Sequence, residues 1–130
     1  MNDVDIAAVL IAALATFVIG GPWYSPALFG KVWVREAGAQ PQIGHRALVF
    51  GAAYVLSVIA AGLLALWLGP ETTWQRGLAV GTAVGAGFVA TSFGVNYVFG
   101  GRSAQLWLID AGYHVVQFAA FGLILGAWPW

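Results

Sequence analysis

Three residues whose side chains could hold or transfer a proton follow one another at helical spacing near the C-terminal end of the sequence. Asp110 is followed four residues later by His114 and three residues after that by Gln117, with Tyr113 beside them. On a helix these positions share one face. Away from water an acid and a base persist as an ion pair or as a neutral acid and imidazole, two states that differ by one proton transfer. The pattern therefore fits a proton or ion pathway, and it also fits a hydrogen-bonded cluster that only fixes helix register.

Other chemistries have little support in the sequence. It contains no cysteine, so thiolate catalysis and disulfides are excluded. One aspartate, one histidine and an amide are a thin ligand set, so we predict no metal site. The few serines have no identifiable base beside them, and no phosphate-binding loop or dinucleotide fingerprint is present. A formal net charge of zero gives a nucleic-acid partner no electrostatic support. We therefore predict no enzyme and no cofactor.

The elements that must position these side chains are long and apolar. Only 8% of the 130 residues are charged and 61% are hydrophobic, whereas soluble domains carry roughly 25% charged residues. Four apolar runs each reach the ~20 residues that a helix needs to cross the hydrocarbon core of a bilayer. We predict an all-α fold, an integral membrane four-helix bundle that forms one transmembrane domain over residues 1–130. The predicted spans are 5–24, 47–69, 76–99 and 104–128.

The segment that follows the first span predicts a short helix lying in the membrane interface, over residues 27–37. Pro22 and Pro26 end or kink the span before it. One face of the segment is apolar and the other is charged, as in interfacial helices. The apolar face carries Leu28, Phe29, Val32 and Trp33, and the other face carries Lys31, Arg35 and Glu36. A turn is predicted at residues 40–44.

Lysine and arginine predict the orientation. The first and third connections hold four of them, and the opposite side holds only Arg76. Positively charged connections stay in the cytoplasm, so both termini are predicted to lie outside. Asp110 then lies two turns, roughly 9–10 Å, from the cytoplasmic end of the fourth span. Six residues are expected to reach this depth or to extend towards it, which predicts a polar pocket in the cytoplasmic half: Trp23, Tyr24, Ser25, Lys31, Ser92 and Arg102. Asn96 is expected nearer the surface.

Small residues at four-residue spacing predict close helix packing. Gly77, Gly81 and Gly85 form the clearest such ridge. The ridge could pack inside the bundle or face another subunit, and the second interpretation predicts a homo-oligomer.

Two segments of the sequence resemble a known family. Trp23-Tyr24-Ser25-Pro26 with Leu28-Phe29-Gly30-Lys31 and Trp33 resembles the first signature of the bacterial "domain of unknown function 1761" family. Asn96-Tyr97, Phe99, Arg102 and Ile109-Asp110-Ala111-Gly112-Tyr113-His114 resembles the second. The resemblance covers nearly the whole chain and implies a small four-helix protein of the bacterial cytoplasmic membrane. It implies no activity.

Two classes of function remain open. The first is a small oligomeric channel or transporter that uses the polar face of the fourth helix. The second is a structural or accessory subunit of a larger membrane complex. The lipid bilayer is the one partner that both interpretations require.

Overall fold

The chain folds into helices arranged around one central helix. The computed structural model describes residues 4–38 and 45–130, and no strand occurs among them. The helices are α1 (Ile6–Trp23), α2 (Gly30–Ala37), α3 (Arg46–Leu68), α4 (Trp74–Val84), α5 (Ala90–Phe99) and α6 (Ala104–Ala127). One π-helical turn, Gly85–Val89, joins α4 to α5, so the two form a single rod, Trp74–Phe99.

By length and composition, α1, α3, the α4–α5 rod and α6 are each long and apolar enough to cross a membrane. The all-α prediction is confirmed. The short helix begins at Gly30 rather than at residue 27, because residues 24–29 form the turn that leads into it. The turn predicted at residues 40–44 lies outside the described residues.

Polar side chains cap three of these helices at their first turns. Asp5 Oδ1 accepts a hydrogen bond from Ala7 N at 2.9 Å, and the hydroxyls of Thr73 and Ser103 cap α4 and α6 in the same way. Such caps satisfy backbone N–H groups that have no partner inside the helix. Asp5 also accepts the indole N–H of Trp128 at 2.8 Å. This bond holds the pKa of Asp5 below its usual range, and it ties the start of α1 to the end of α6.

Helix α6 lies at the centre and contacts every other helix. Its buried Phe121 and Leu125 pack with Leu64 of α3 and with the alanine face of α1, which includes Ala8 and Ala12. The small alanine side chains let α1 approach α3 and α6 closely, and dispersion contacts increase as the helix axes come together.

The glycine ridge of the α4–α5 rod packs inside the chain, against α6. A Cβ at Gly77 or Gly81 would overlap with a backbone carbonyl oxygen of α6, and one at Gly85 would lie 2.9 Å from Val115 Cα. A Cβ at Gly122 of α6 would likewise overlap with the backbone carbonyl oxygen of Gly77. The interpretation of this ridge as a contact with another subunit is therefore wrong, because the backbone of α6 already occupies it.

A buried carboxylate cluster as the candidate functional site

Asp110 is the centre of a hydrogen-bonded cluster that joins four elements of the chain. Its side chain is only 8% exposed. Oδ1 accepts the hydroxyl of Tyr24 at 2.6 Å and the indole N–H of Trp33 at 3.0 Å, and Oδ2 accepts the hydroxyl of Tyr97. The donors come from the end of α1, from α2 and from α5. One carboxylate on α6 thus fixes the positions of three neighbouring segments, and we call these four residues the Asp110 cluster.

The turn between α1 and α2 explains how two of the donors reach Asp110. Ser25 Oγ donates to Pro22 O at 2.7 Å, and Gly30 N donates to Ser25 O at 2.9 Å. A Cβ at Gly30 would lie 2.8 Å from the carbonyl carbon of Ser25, so the close approach requires glycine. Trp23 Nε1 donates to Ile109 O at 3.0 Å and anchors the turn to α6. The turn therefore presents Tyr24 and α2 to the carboxylate.

In the part of the chain that the structure describes, no basic side chain pairs with Asp110. Among residues 4–38 and 45–130 the one salt bridge joins Arg35 to Glu36, at 3.7 Å. Lys31 is exposed and does not reach the carboxylate. Arg102 is exposed as well, with its guanidinium 5.5 Å from the ring centre of Tyr97. Neutral O–H and N–H donors surround the carboxylate instead, and hydrogen bonds to an ionised acceptor are the stronger kind.

A second network lies deeper along α6 and joins it to α1 and α3. Gln117, only 5% exposed, donates from Nε2 to Thr16 Oγ1 at 2.8 Å, and its Oε1 lies 2.6 Å from His114 Nδ1. Because the amide nitrogen donates to Thr16, the amide oxygen faces the imidazole, and Nδ1 carries the proton. Thr16 Oγ1 lies 2.7 Å from Ser57 Oγ, and Tyr113 donates to Thr16 O at 2.8 Å. We call these five residues the Gln117 network.

The predicted polar face of α6 is thus divided between two networks. Asp110 and His114 do not hydrogen-bond to each other, because donors from other elements hold the carboxylate and Gln117 of α6 itself holds the imidazole. The His114 ring stacks on Phe93 of α5, with ring centres 4.8 Å apart. Ser92 and Asn96 are exposed and belong to neither network.

Sequence reasoning did not assign four of the residues that hold these networks: Thr16, Trp33, Ser57 and Tyr97. Thr16 is the single Ser or Thr within α1, and Ser57 is the single one within α3. A lone hydroxyl in an apolar helix is a signal that could have identified both. Trp33 and Tyr97 lie in the two family-like segments, although nothing in their spacing points to Asp110. Within the described parts of the chain, no group of three or more His, Cys, Asp or Glu side chains could hold a metal ion.

Comparison with known proteins gives one match. A family model described as "Protein of unknown function (DUF1761)" matches residues 7–126. The matched range contains the turn after α1, the Asp110 cluster and the Gln117 network. No match was found among curated proteins or among solved structures.

Proposed function

We propose that this chain, which belongs to the DUF1761 family of proteins of unknown function, spans a membrane four times and acts as a small channel or transporter with Asp110 as its proton site. The chain's four long apolar helices support the first part of this proposal. The chemistry of the Asp110 cluster supports the second.

The outer surface of the helices fits a lipid environment. Leu48 of α3 is 72% exposed, and Val98 and Phe99 of α5 are 79% and 88% exposed. Soluble monomers rarely expose contiguous apolar patches of large area. Helix α2 is amphipathic, with Lys31 and Arg35 exposed, which suits the membrane interface. The distribution of Lys and Arg supports both termini lying outside, and the family resemblance supports the cytoplasmic membrane of a bacterium.

The observation that carries the proposal is the set of donors around Asp110. An ionised carboxylate only accepts hydrogen bonds, whereas a protonated one must also donate. When a proton binds Oδ1, the oxygen shared by Tyr24 and Trp33, that atom must donate a hydrogen bond and needs an acceptor. The Tyr24 hydroxyl can turn and accept, but an indole N–H is a donor only. The protonated oxygen keeps acceptor capacity but has lost its charge, so the hydrogen bond from the Trp33 N–H becomes weaker, and with it the hold on α2.

Protonation of Asp110 is thereby coupled to the position of α2. Local changes of charge of this kind act by shifting an element between two arrangements. The Gln117 network continues the polar line towards the other end of the bundle. Asp110 and His114 are separated by one helical turn, about 6 Å along the axis. Proton transfer between the Asp110 cluster and the Gln117 network is the step that movement of α2 would control.

The test is a pH-gradient-driven flux in liposomes that contain the purified protein. Asp110→Asn preserves an acceptor for the indole but cannot take up a proton, so flux should vanish while near-UV circular dichroism stays unchanged. Ser92→Ala is the matched control, because Ser92 is exposed on α5 and belongs to neither network. Absence of flux in the wild-type protein, or equal flux in the wild type and Asp110→Asn, would overturn the proposal.

An accessory subunit of a larger membrane complex is the second candidate. In the described residues every buried side-chain nitrogen or oxygen has a hydrogen-bond partner, as expected of a fixed structural clamp. The glycine ridge is occupied internally, so any homo-oligomer or larger complex would use other exposed apolar surface, such as that of α1, α3 and α5. Co-purification from native membranes with a second protein in fixed ratio, together with absence of flux, would favour this candidate.

A further inference from the structure

An open groove of about 300 Å³ lies between α5 and the first turn of α6, beside the Asp110 cluster, with which it shares Tyr97. Its lining is mostly apolar, and the exposed side chain of Arg102 is its one charged member. Its lining includes Gly94, Tyr97, Val98, Arg102, Ala104 and Trp107.

The walls of the groove are held in place. Trp107 Nε1 donates to Ala90 O at 2.9 Å, which fixes the indole against α5. A Cβ at Gly94 would lie 3.3 Å from Trp107 Nε1, so glycine at this position lets the two walls approach. Tyr97 is buried and donates its hydroxyl to Asp110. The groove is therefore a preformed feature, bounded by side chains with fixed partners.

Arg102 gives the groove a charge. Its backbone N–H donates to Tyr97 O at 2.9 Å, and its guanidinium lies 5.5 Å from the Tyr97 ring centre. No carboxylate pairs with it, since the salt bridge in the described ranges joins Arg35 and Glu36. A guanidinium over a ring uses its face, and its N–H groups at the edge stay available for a phosphate.

We propose that this groove binds an anionic phospholipid, with the phosphate on Arg102 and a segment of one acyl chain between α5 and α6. The inference rests on the proposed membrane insertion, which places the end of α5 and the start of α6 at the level of the lipid headgroups. A volume of about 300 Å³ is at the lower end of small-molecule sites, roughly 300–1,000 Å³. The groove therefore holds part of one chain, and the charge on Arg102 selects the headgroup.

Native mass spectrometry of the full-length protein in mild detergent tests the site, with phosphatidylglycerol and phosphatidylcholine added in equal amounts. The wild type should bind phosphatidylglycerol preferentially, by about fivefold for one surface cation. Arg102→Gln should remove the preference, and Arg102→Lys should keep most of it. Arg76→Gln, an exposed arginine on α4, is the matched control and should behave as the wild type. Ala104→Leu fills the groove without changing the charge and should weaken binding of both lipids.

Two results would overturn the site. One is an equal preference in the wild type and Arg102→Gln. The other is a preference lost to the same extent in Arg102→Gln and Arg76→Gln, which would show attraction to net charge alone. Carbonate extraction of membranes from the same cells distinguishes a failure of the lipid site from a failure of the proposed membrane insertion. Protein that stays in the extracted membrane without lipid preference overturns only the site, and protein that leaves the membrane overturns both.

Discussion

Replacing Gly81 with alanine tests how tightly the α4–α5 rod packs against α6. A Cβ at Gly81 would overlap with the carbonyl oxygen of Phe118 and lie 3.2 Å from Gly122 Cα. Both neighbours are backbone atoms, so the clash is relieved only by moving one helix away from the other. Overpacking of a well-packed interior costs typically ~1–3 kcal/mol. Because no side chain can rotate aside here, Gly81→Ala should fall in the upper part of that range.

Gly87 provides a matched control in the same rod. It is exposed in the π-helical turn, and a Cβ added there would meet nothing within 4 Å. Replacement of glycine by alanine inside a helix stabilises it by up to ~1 kcal/mol. Gly87→Ala should therefore be neutral or stabilising, and the two variants should differ by ~2–4 kcal/mol in free energy of unfolding.

The assay is reversible unfolding in mixed micelles of a mild detergent and dodecyl sulfate, followed by helical circular dichroism. A difference below ~0.5 kcal/mol between the two variants would refute the internal packing of the ridge. Chemical cross-linking in membranes should show the same oligomeric state in both variants. Loss of an oligomer in Gly81→Ala with unchanged stability would instead assign the ridge to a subunit contact.

Three further predictions concern other parts of the chain. Thr16→Val removes the acceptor of the buried Gln117 amide N–H and should lower the free energy of unfolding by about 1 kcal/mol. Thr91→Val removes an exposed hydroxyl bonded only within its own helix, and it should have little effect in the same unfolding assay. The lowered pKa of Asp5, caused first by the indole bond from the end of α6, adds stability above the ordinary aspartate pKa. That stability should disappear as the pH falls through the lowered value, and a stability advantage over Asp5→Asn that stays constant down to the most acidic pH would contradict it. With an impermeant reagent added to intact cells, Glu71→Cys should be labelled and Ala27→Cys should not, and labelling of Ala27→Cys from outside would reverse the predicted orientation.

The sequence located the centre of the candidate site but not its partners. Asp110 stands out because it is a charge inside a long apolar run, and Tyr24 was expected at its depth. Trp33 was assigned to the apolar face of a helix lying on the membrane, yet its N–H points to Asp110. Amphipathic spacing identifies which face of a helix is apolar, and it does not identify what covers that face.

The predicted pairing of Asp110 with His114 shows the same limit of reasoning from residue spacing. Spacing of four residues places two side chains on one face, and the energy of a hydrogen bond then depends on which other partners are within reach. The Tyr97 hydroxyl satisfies one side chain and the Gln117 amide satisfies the other. Tyr97 lies on another helix, so its contact depends on how the helices rotate about their axes, whereas Gln117 lies three residues from His114 on α6 itself.

The sequence by itself determined the four long apolar helices, the short amphipathic helix and the family, because each rests on local properties of the chain. The length of an apolar run, the hydroxyl or carboxylate at a helix start and the glycine or proline at its end act within a few residues. Only the tertiary structure decided that the Gly77 ridge meets α6, that Asp110 holds α2, and that Arg102 lies beside a groove. Each of these depends on which helix faces which, and that choice follows from the packing of all the helices around α6 rather than from any one segment.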